Sequence, residues 1–340
     1  MKKAVVNLCV FLLASILAAS AQTQKLAAPT PPATTALTPK ANSPQSRAPF
    51  RLQAGDRCLG DPKFLENLQL SKRAVVDTTQ VSPVGMSVFD VNENGQPGRR
   101  VHHQSWAMGG YLGAVQRDSE GNIFVYPAPS ATIEKNPPEK SNVLYRVDSK
   151  TGVMAPFVEL EKPAPANTQN PYGIVATAYD CATRSIYVSS VFGSTPGKAN
   201  GAISMVNTAT GKATIVLPRL DTFSLTVAHF PGGRRLLYAS AREPIVLSRS
   251  IREDGQLADD ERVEIQLDDW ASLGDRKARR LRVDPQGRLL VRVQPFDFTL
   301  SASSVIARAE LVFEYDATAA HFKLLSAKET PTNVGHAAAQ

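Results

Sequence analysis

Oxygen-bearing side chains recur at alternate positions in Asp90-Val-Asn92-Glu-Asn94-Gly95, the pattern that opens a calcium loop. Position twelve of such a loop needs a bidentate Glu and is Val101 here, and Pro97 interrupts the expected apolar position. A polar hairpin turn with Asn-Gly at its tip fits the segment better. Gly193-Ser-Thr-Pro-Gly-Lys198 resembles a phosphate loop but is one residue short. It puts Ala199 where a Mg2+-binding hydroxyl belongs, and no helix is predicted after it. The chain contains no Gly-x-Ser-x-Gly nucleophile elbow and no His-Glu-x-x-His pair. His102 and His103 are adjacent, so on a strand they point to opposite faces and cannot chelate one ion together. With His229, they read as packed or surface histidines. No haem motif or quinone-cofactor signature is present, and no cofactor and no catalytic residue are expected.

The densest charge lies in Arg276, Lys277, Arg279, Arg280 and Arg282. This run is either a solvated strand face or a contact for an anion or acidic glycan, and the sequence leaves both open. The net charge of +7 over 340 residues is too modest for a nucleic-acid partner. With 43% hydrophobic and 20% charged residues, the composition is that of a globular protein able to bury a sizeable core.

Lys2 and Lys3 precede an apolar stretch from Ala4 to Ala18, and Ala19-Ser-Ala21 has the small-x-small form cut by a signal peptidase. Residues 1–21 are therefore expected to be a cleaved leader, the apolar run being shorter than the ~20 residues of a spanning helix. Removing these two lysines from +7 leaves +5 on the mature chain. No later stretch is long and apolar enough to cross a bilayer as a helix, so no transmembrane segment is expected after cleavage. A periplasmic or extracellular location follows. There, the remaining Cys58 and Cys181 suggest a disulfide, the alternative being two separately buried thiols. Residues 22–50, rich in Ala, Pro and Thr, read as a disordered tether, and residues 328–340 as a flexible tail.

Between them, residues 51–327 carry a repeat of strand, tight turn and strand. It is clearest in Gly113–Tyr126, Gly173–Val188, Leu225–Tyr238 and Leu281–Val291, each followed by a second hairpin such as Val143–Val153 or Ala202–Lys212. Asp or Asn opens most of these turns by bonding its own backbone, and Gly closes many of them. Four strands recurring every ~50–60 residues make a propeller blade. The fold class is all-β, a propeller of four-stranded blades. Strand counting gives nearer five blades.

Tyr172-Gly-Ile-Val-Ala-Thr-Ala-Tyr-Asp180, leading to Ser185-Ile-Tyr-Val-Ser-Ser190, resembles a blade of the gluconolactonase (senescence-marker-protein) and NHL-repeat propellers, as does Leu281-Arg-Val-Asp-Pro-Gln-Gly287. The resemblance covers roughly residues 110–327 and implies six blades, with five as the alternative. It also implies a divalent metal at the channel mouth, held in part by an Asn directly before one blade's Gly and an Asp before another blade. Tyr172 and, approximately, Arg279 stand at those positions. An arginine cannot ligate Ca2+ or Zn2+, so the resemblance speaks for the fold and against metal-dependent lactonase chemistry.

In a propeller, the tight turns within hairpins share one face, while the loops joining second to third strands, and blade to blade, share the other. The long irregular segments belong to the second face, where binding is expected. Tyr111, Asn170, Tyr172, Phe223, Trp270, Arg279 and Phe296 are its candidate ligand-binding residues. The leading expectation is a non-catalytic, exported scaffold that binds a small molecule, glycan or protein there. One alternative is a divergent lactonase-like hydrolase or isomerase using carboxylates among Asp221, Asp268, Asp269 and Asp297. The other is a protein-interaction platform in an envelope complex.

Overall fold

Short polar turns set the strand boundaries. Asp118 accepts hydrogen bonds from the backbone N–H groups of Glu120 and Asn122, both at 2.9 Å. Asp148 does the same for Lys150 and Thr151, Asn207 for Ala209 and Thr210, and Asp284 for Gln286 and Arg288. These side-chain bonds reverse the chain locally without a tertiary partner, which is why the hairpins were legible. The segment opening at Asp90 is also a hairpin turn: Asn92 accepts from the N–H groups of Asn94 and Gln96.

The structure is a computed structural model that describes residues 50–71, 73–79, 82–128, 133–166, 169–267, 276–295, 298 and 308–330. The expected leader, most of the tether, the chain beyond Thr330, Trp270, Phe296, Asp268, Asp269 and Asp297 lie outside the described residues.

The described chain begins with a two-residue strand, β1 (Gln53–Ala54), and a one-turn helix, α1 (Phe64–Asn67). Five antiparallel sheets follow in chain order. The first comprises β2 (Val75–Asp77), β3 (Ser87–Val91) and β4 (Pro97–Val101). The second has β5 (Gln116–Arg117), β6 (Ile123–Val125), β7 (Val143–Val147) and β8 (Met154–Glu159). The third is β9 (Ile174–Asp180), β10 (Ser185–Ser190), β11 (Ala202–Asn207) and β12 (Ala213–Pro218). The fourth has β13 (Thr222–Phe230), β14 (Gly233–Ser240), β15 (Ile245–Ser250) and β16 (Arg262–Gln266). The fifth contains β17 (Arg276–Val283), β18 (Leu289–Pro295), β19 (Arg308–Asp316) and β20 (His321–Thr330). Together they form a β-propeller of five blades, the lower of the two expected counts.

Blade stacking follows from side-chain alternation. On β6 and the residue after it, Ile123 and Val125 pack toward the first blade, while Phe124 and Tyr126 pack toward the third. On β10, Ile186 and Val188 face the second blade and Tyr187 the fourth. On β14, Leu236 and Tyr238 face the third blade and Leu237 and Ala239 the fifth. Strands buried on both faces must be apolar at successive positions, as these are. The fifth blade differs. Leu281, Val283, Val291, Leu311 and Phe313 enter the core it shares with the fourth blade. Its other face presents exposed Arg280, Arg282, Arg292, Glu310 and Glu314. Among the described residues, no buried apolar cluster joins the fifth blade to the first.

The segment before the first blade crosses the tight-turn face as a strap. β1 pairs with β13, Gln53 opposite His229 and Ala54 opposite Ala228. Gly55 donates to the Val227 carbonyl at 2.8 Å and accepts from Cys181 N–H at 3.1 Å. Gly60 donates to the Asp118 carbonyl at 2.9 Å, and Phe64 to that of Ser149 at 2.7 Å. The strap thus touches turns or strand ends of several blades. Two turn glycines let it lie close. A Cβ on Gly121 (φ +82°) would sit 2.3 Å from the Asp61 carbonyl oxygen, and one on Gly287 (φ +78°) 2.7 Å from Arg51 Cβ. The Cys58–Cys181 disulfide is present, with Cα atoms 5.8 Å apart and 123 residues apart in the chain.

Candidate functional site

The inner strands of four blades surround an axial cavity of about 450 Å3. Val175, Thr177 and Tyr179 of β9 line it, with Phe223, Leu225 and Val227 of β13. Asp56 and Leu59 of the strap line its end at the tight-turn face, so the channel has a floor there. The lining runs through successive residues, 175–179 of β9 and 223–227 of β13, because both faces of a blade pack against its neighbours and the inner strand presents its free edge to the channel.

Charge is the distinguishing feature of the cavity. Arg117 from β5 and Arg279, Arg280 and Arg282 from β17 line it, against one carboxylate, Asp56. The Arg279 guanidinium carbon lies 4.4 Å from the centre of the Phe223 ring, a close cation–π contact. Burial lowers the Arg279 pKa, and Tyr172 and Tyr126 oppose that shift. Arginine's starting value is so high that the group stays a cation. Arg117 reaches back to the strap, donating to Asp61 at 3.1 Å. Burial also raises the Asp56 carboxyl pKa, against a bond to its own backbone and the charge of Arg117. The buried Tyr126 hydroxyl donates to the Val175 carbonyl at 2.8 Å, fixing the ring beside the channel.

The sequence candidates separate into distinct places. Phe223 and Arg279 meet in the channel. Tyr172 is half-buried and packs against a cluster of Val191, Phe223, Ala241 and Phe298 on the long-loop side. Asn170 is buried, and its amide donates to the carbonyls of Val191 at 2.8 Å and Ser194 at 2.9 Å. Its oxygen accepts from Tyr172 N–H at 3.1 Å, so the residue pins the loop that carries Tyr172. Tyr111 lines a second cavity beside the channel. Asp221 is fully buried in the loop framework: it accepts from Ser194 Oγ at 2.5 Å and Gly201 N–H at 2.9 Å and pairs with Arg242. With Asn170 and Asp221 so engaged, these oxygens are a poor fit to a metal. Among the described residues, no group of three or more His, Cys, Asp or Glu could hold one.

Sequence reasoning found the basic run on β17 but could not place it on the channel. It missed Arg117 and Asp56. Arg117 carries only the weak signal of a cation on an inner strand beside a turn. Nothing local marks Asp56, because the strap reaches the channel through long-range pairing.

The fold and this site define an all-β propeller with a basic axial cavity. No family model matches the chain, and no curated protein matches it. Solved structures with a similar fold include a luciferin-regenerating enzyme, at 11% identity and TM-score 0.48 over 83% of this chain and 80% of that one. Another is regucalcin from Agrobacterium tumefaciens, described as a calcium-binding protein, at 12% identity and TM-score 0.40 over 75% and 72%. A glucose dehydrogenase is similar at 14% identity and TM-score 0.38 over 69% and 76%.

Proposed function

We propose that this protein is an exported binding protein that holds a small organic anion in its central channel and does no chemistry on it. The observation that carries this reading is the meeting of Arg117, Arg279, Arg280 and Arg282 on one cavity with a single carboxylate. Guanidinium groups present planar donor forks that match carboxylate and phosphate oxygens. The Phe223 ring offers a flat apolar wall next to them. A small molecule fits a cavity of this size better than a glycan chain or protein surface would. The long-loop side is the route of access, since the strap lies across the other end.

The test is thermal unfolding of the mature protein with phosphate, citrate and benzoate, against chloride at matched ionic strength. A ligand that binds only the folded state must raise the midpoint, in proportion to the logarithm of its concentration. A rise that follows the logarithm of anion concentration and that Arg279→Ala abolishes supports the reading. No rise with any anion sinks it.

A further inference from the structure

The four channel arginines stand at two levels along the axis. β5 and β17 both run from the long-loop side to a tight turn, so a residue's distance from its turn gives its depth. Arg117 directly precedes Asp118, and Arg282 lies two positions before Asp284, the residues that open the turns after β5 and β17. Both belong to the floor end of the channel, where the strap brings Asp56. Arg279 and Arg280 lie nearer the long-loop end of β17, Arg279 against Phe223. At about 3.3 Å per residue, the three steps from Arg279 to Arg282 separate the two levels by about 10 Å of backbone.

Local structure and charge set each level apart. β17 pairs Ala278 with Val293 and Arg280 with Arg292, which leaves Arg279 as an inserted residue at a bulge. A bulge re-aims the side chain it carries, and Arg279 is the one that meets the Phe223 ring. Arg280 and Arg282, two positions apart, share one face of the strand. Arg280 sits opposite Arg292, a like-charge pair that costs stability. Glu310 lies 3.7 Å from Arg292, whereas among the described residues neither Arg280 nor Arg282 is in an ion pair. The floor level thus has two guanidinium groups against one carboxylate, and the upper level two against none. We infer that the ligand is an elongated organic dianion, one carboxylate or phosphate group held at the Arg279–Arg280 level and the other at the Arg117–Arg282 level, with its connecting atoms along the channel axis. This rests on the reading of the channel as an anion site and adds the ligand's charge and length.

The experiment is titration calorimetry of the mature protein with straight-chain dicarboxylates from malonate to octanedioate, at matched ionic strength. Each is compared with the monocarboxylate of the same carbon number, kept below micelle formation, so that the second charge is the main difference within a pair. Octanedioate should bind about tenfold to a hundredfold more tightly than octanoate, the range for one added charged hydrogen bond. Malonate should gain far less over propanoate, because it is too short to reach both levels. Arg282→Gln, a change at an exposed position, should collapse the octanedioate advantage. If octanedioate and octanoate bind equally while phosphate still binds and Arg279→Ala abolishes that binding, the dianion inference fails and the channel reading stands. A malonate advantage as large as that of octanedioate, or an octanedioate advantage that Arg282→Gln leaves intact, also overturns it, since the net positive field and not the two levels would then be responsible. If no anion binds, the channel reading itself falls.

Discussion

The guanidinium of Arg279 stacks 4.4 Å above the ring of Phe223, joining neighbouring inner strands across the channel wall. The contact restrains the guanidinium before a ligand arrives, which reduces the entropy lost on binding. Arg279→Ala should weaken anion binding about tenfold to a hundredfold, the range for a charged hydrogen bond. Arg279→Lys should recover only part of the loss, because an ammonium keeps the charge but not the planar fork. Calorimetry on both variants checks this. Equal affinities for wild type and Arg279→Ala would remove Arg279 from the site.

The disulfide ties the strap to the turn after β9. Replacing both Cys58 and Cys181 with Ser should lower stability by about 2–4 kcal/mol. The loss should be local at first, since between Gly55 and Asp61 the strap is otherwise held by a few backbone bonds, the partly buried Leu59 and the Arg117–Asp61 pair. Limited proteolysis of the variant should cut within residues 51–62 before any blade is cut. Cleavage that begins in a blade would show that the strap does not depend on the bridge.

Asp56 and Asp260 should give opposite pH signatures. Burial raises the Asp56 carboxyl above its ordinary 3.8, so the folded state holds its proton more tightly than the unfolded one. Its contribution to stability therefore falls as pH rises through that window. Asp56→Asn should raise the unfolding midpoint near neutral pH, with the gain vanishing below about pH 4. The same change removes the channel's one lining carboxylate and should tighten anion binding. Against the burial that would raise it, hydrogen bonds from Ser250 and Arg235 hold the Asp260 carboxyl well below the usual range. Its contribution is present at neutral pH and is lost as pH falls below 3.8 toward the depressed value. Unfolding curves from about pH 1.5 to 8 on Asp56→Asn and Asp260→Asn separate the two.

Arg235 is 5% exposed and binds Ser248, Ser250 and Asp260, with Glu264 at 3.8 Å. Arg235→Ala strands the buried Glu264 carboxylate and should cost about 3–5 kcal/mol by denaturant unfolding. A loss under about 1 kcal/mol would mean that the network contributes little beyond packing.

Added Ca2+, Mn2+ or Zn2+ should leave the midpoint unchanged, as should EDTA. A rise with metal concentration that EDTA reverses would reveal a metal site and restore the hydrolase alternative to first place.

The strands and hairpins could be read in the sequence because their signals are local. Asp118, Asp148, Asn207 and Asp284 close turns with their own neighbours. The apolar runs at Ile123–Val125 and Leu236–Ala239 announce strands buried on both faces. Phe223 and Arg279 were also legible as candidates, each lying where an inner strand leaves the long-loop side. The structure decided what depends on distant partners. The count of five follows from which sheets pack together, which no single blade encodes. Asn170 and Asp221 looked available in the sequence, yet both are spent on loop carbonyls, backbone N–H groups and Arg242, contacts that exist only after folding. Likewise, the basic run on β17 is a surface stripe or an anion site according to which side chains face the axis. Arg117 and Asp56 join it from 162 and 223 positions before Arg279, Arg117 on β5 and Asp56 through the strap. Composition and periodicity fix local backbone geometry, whereas a binding site is a convergence of side chains set by sheet packing.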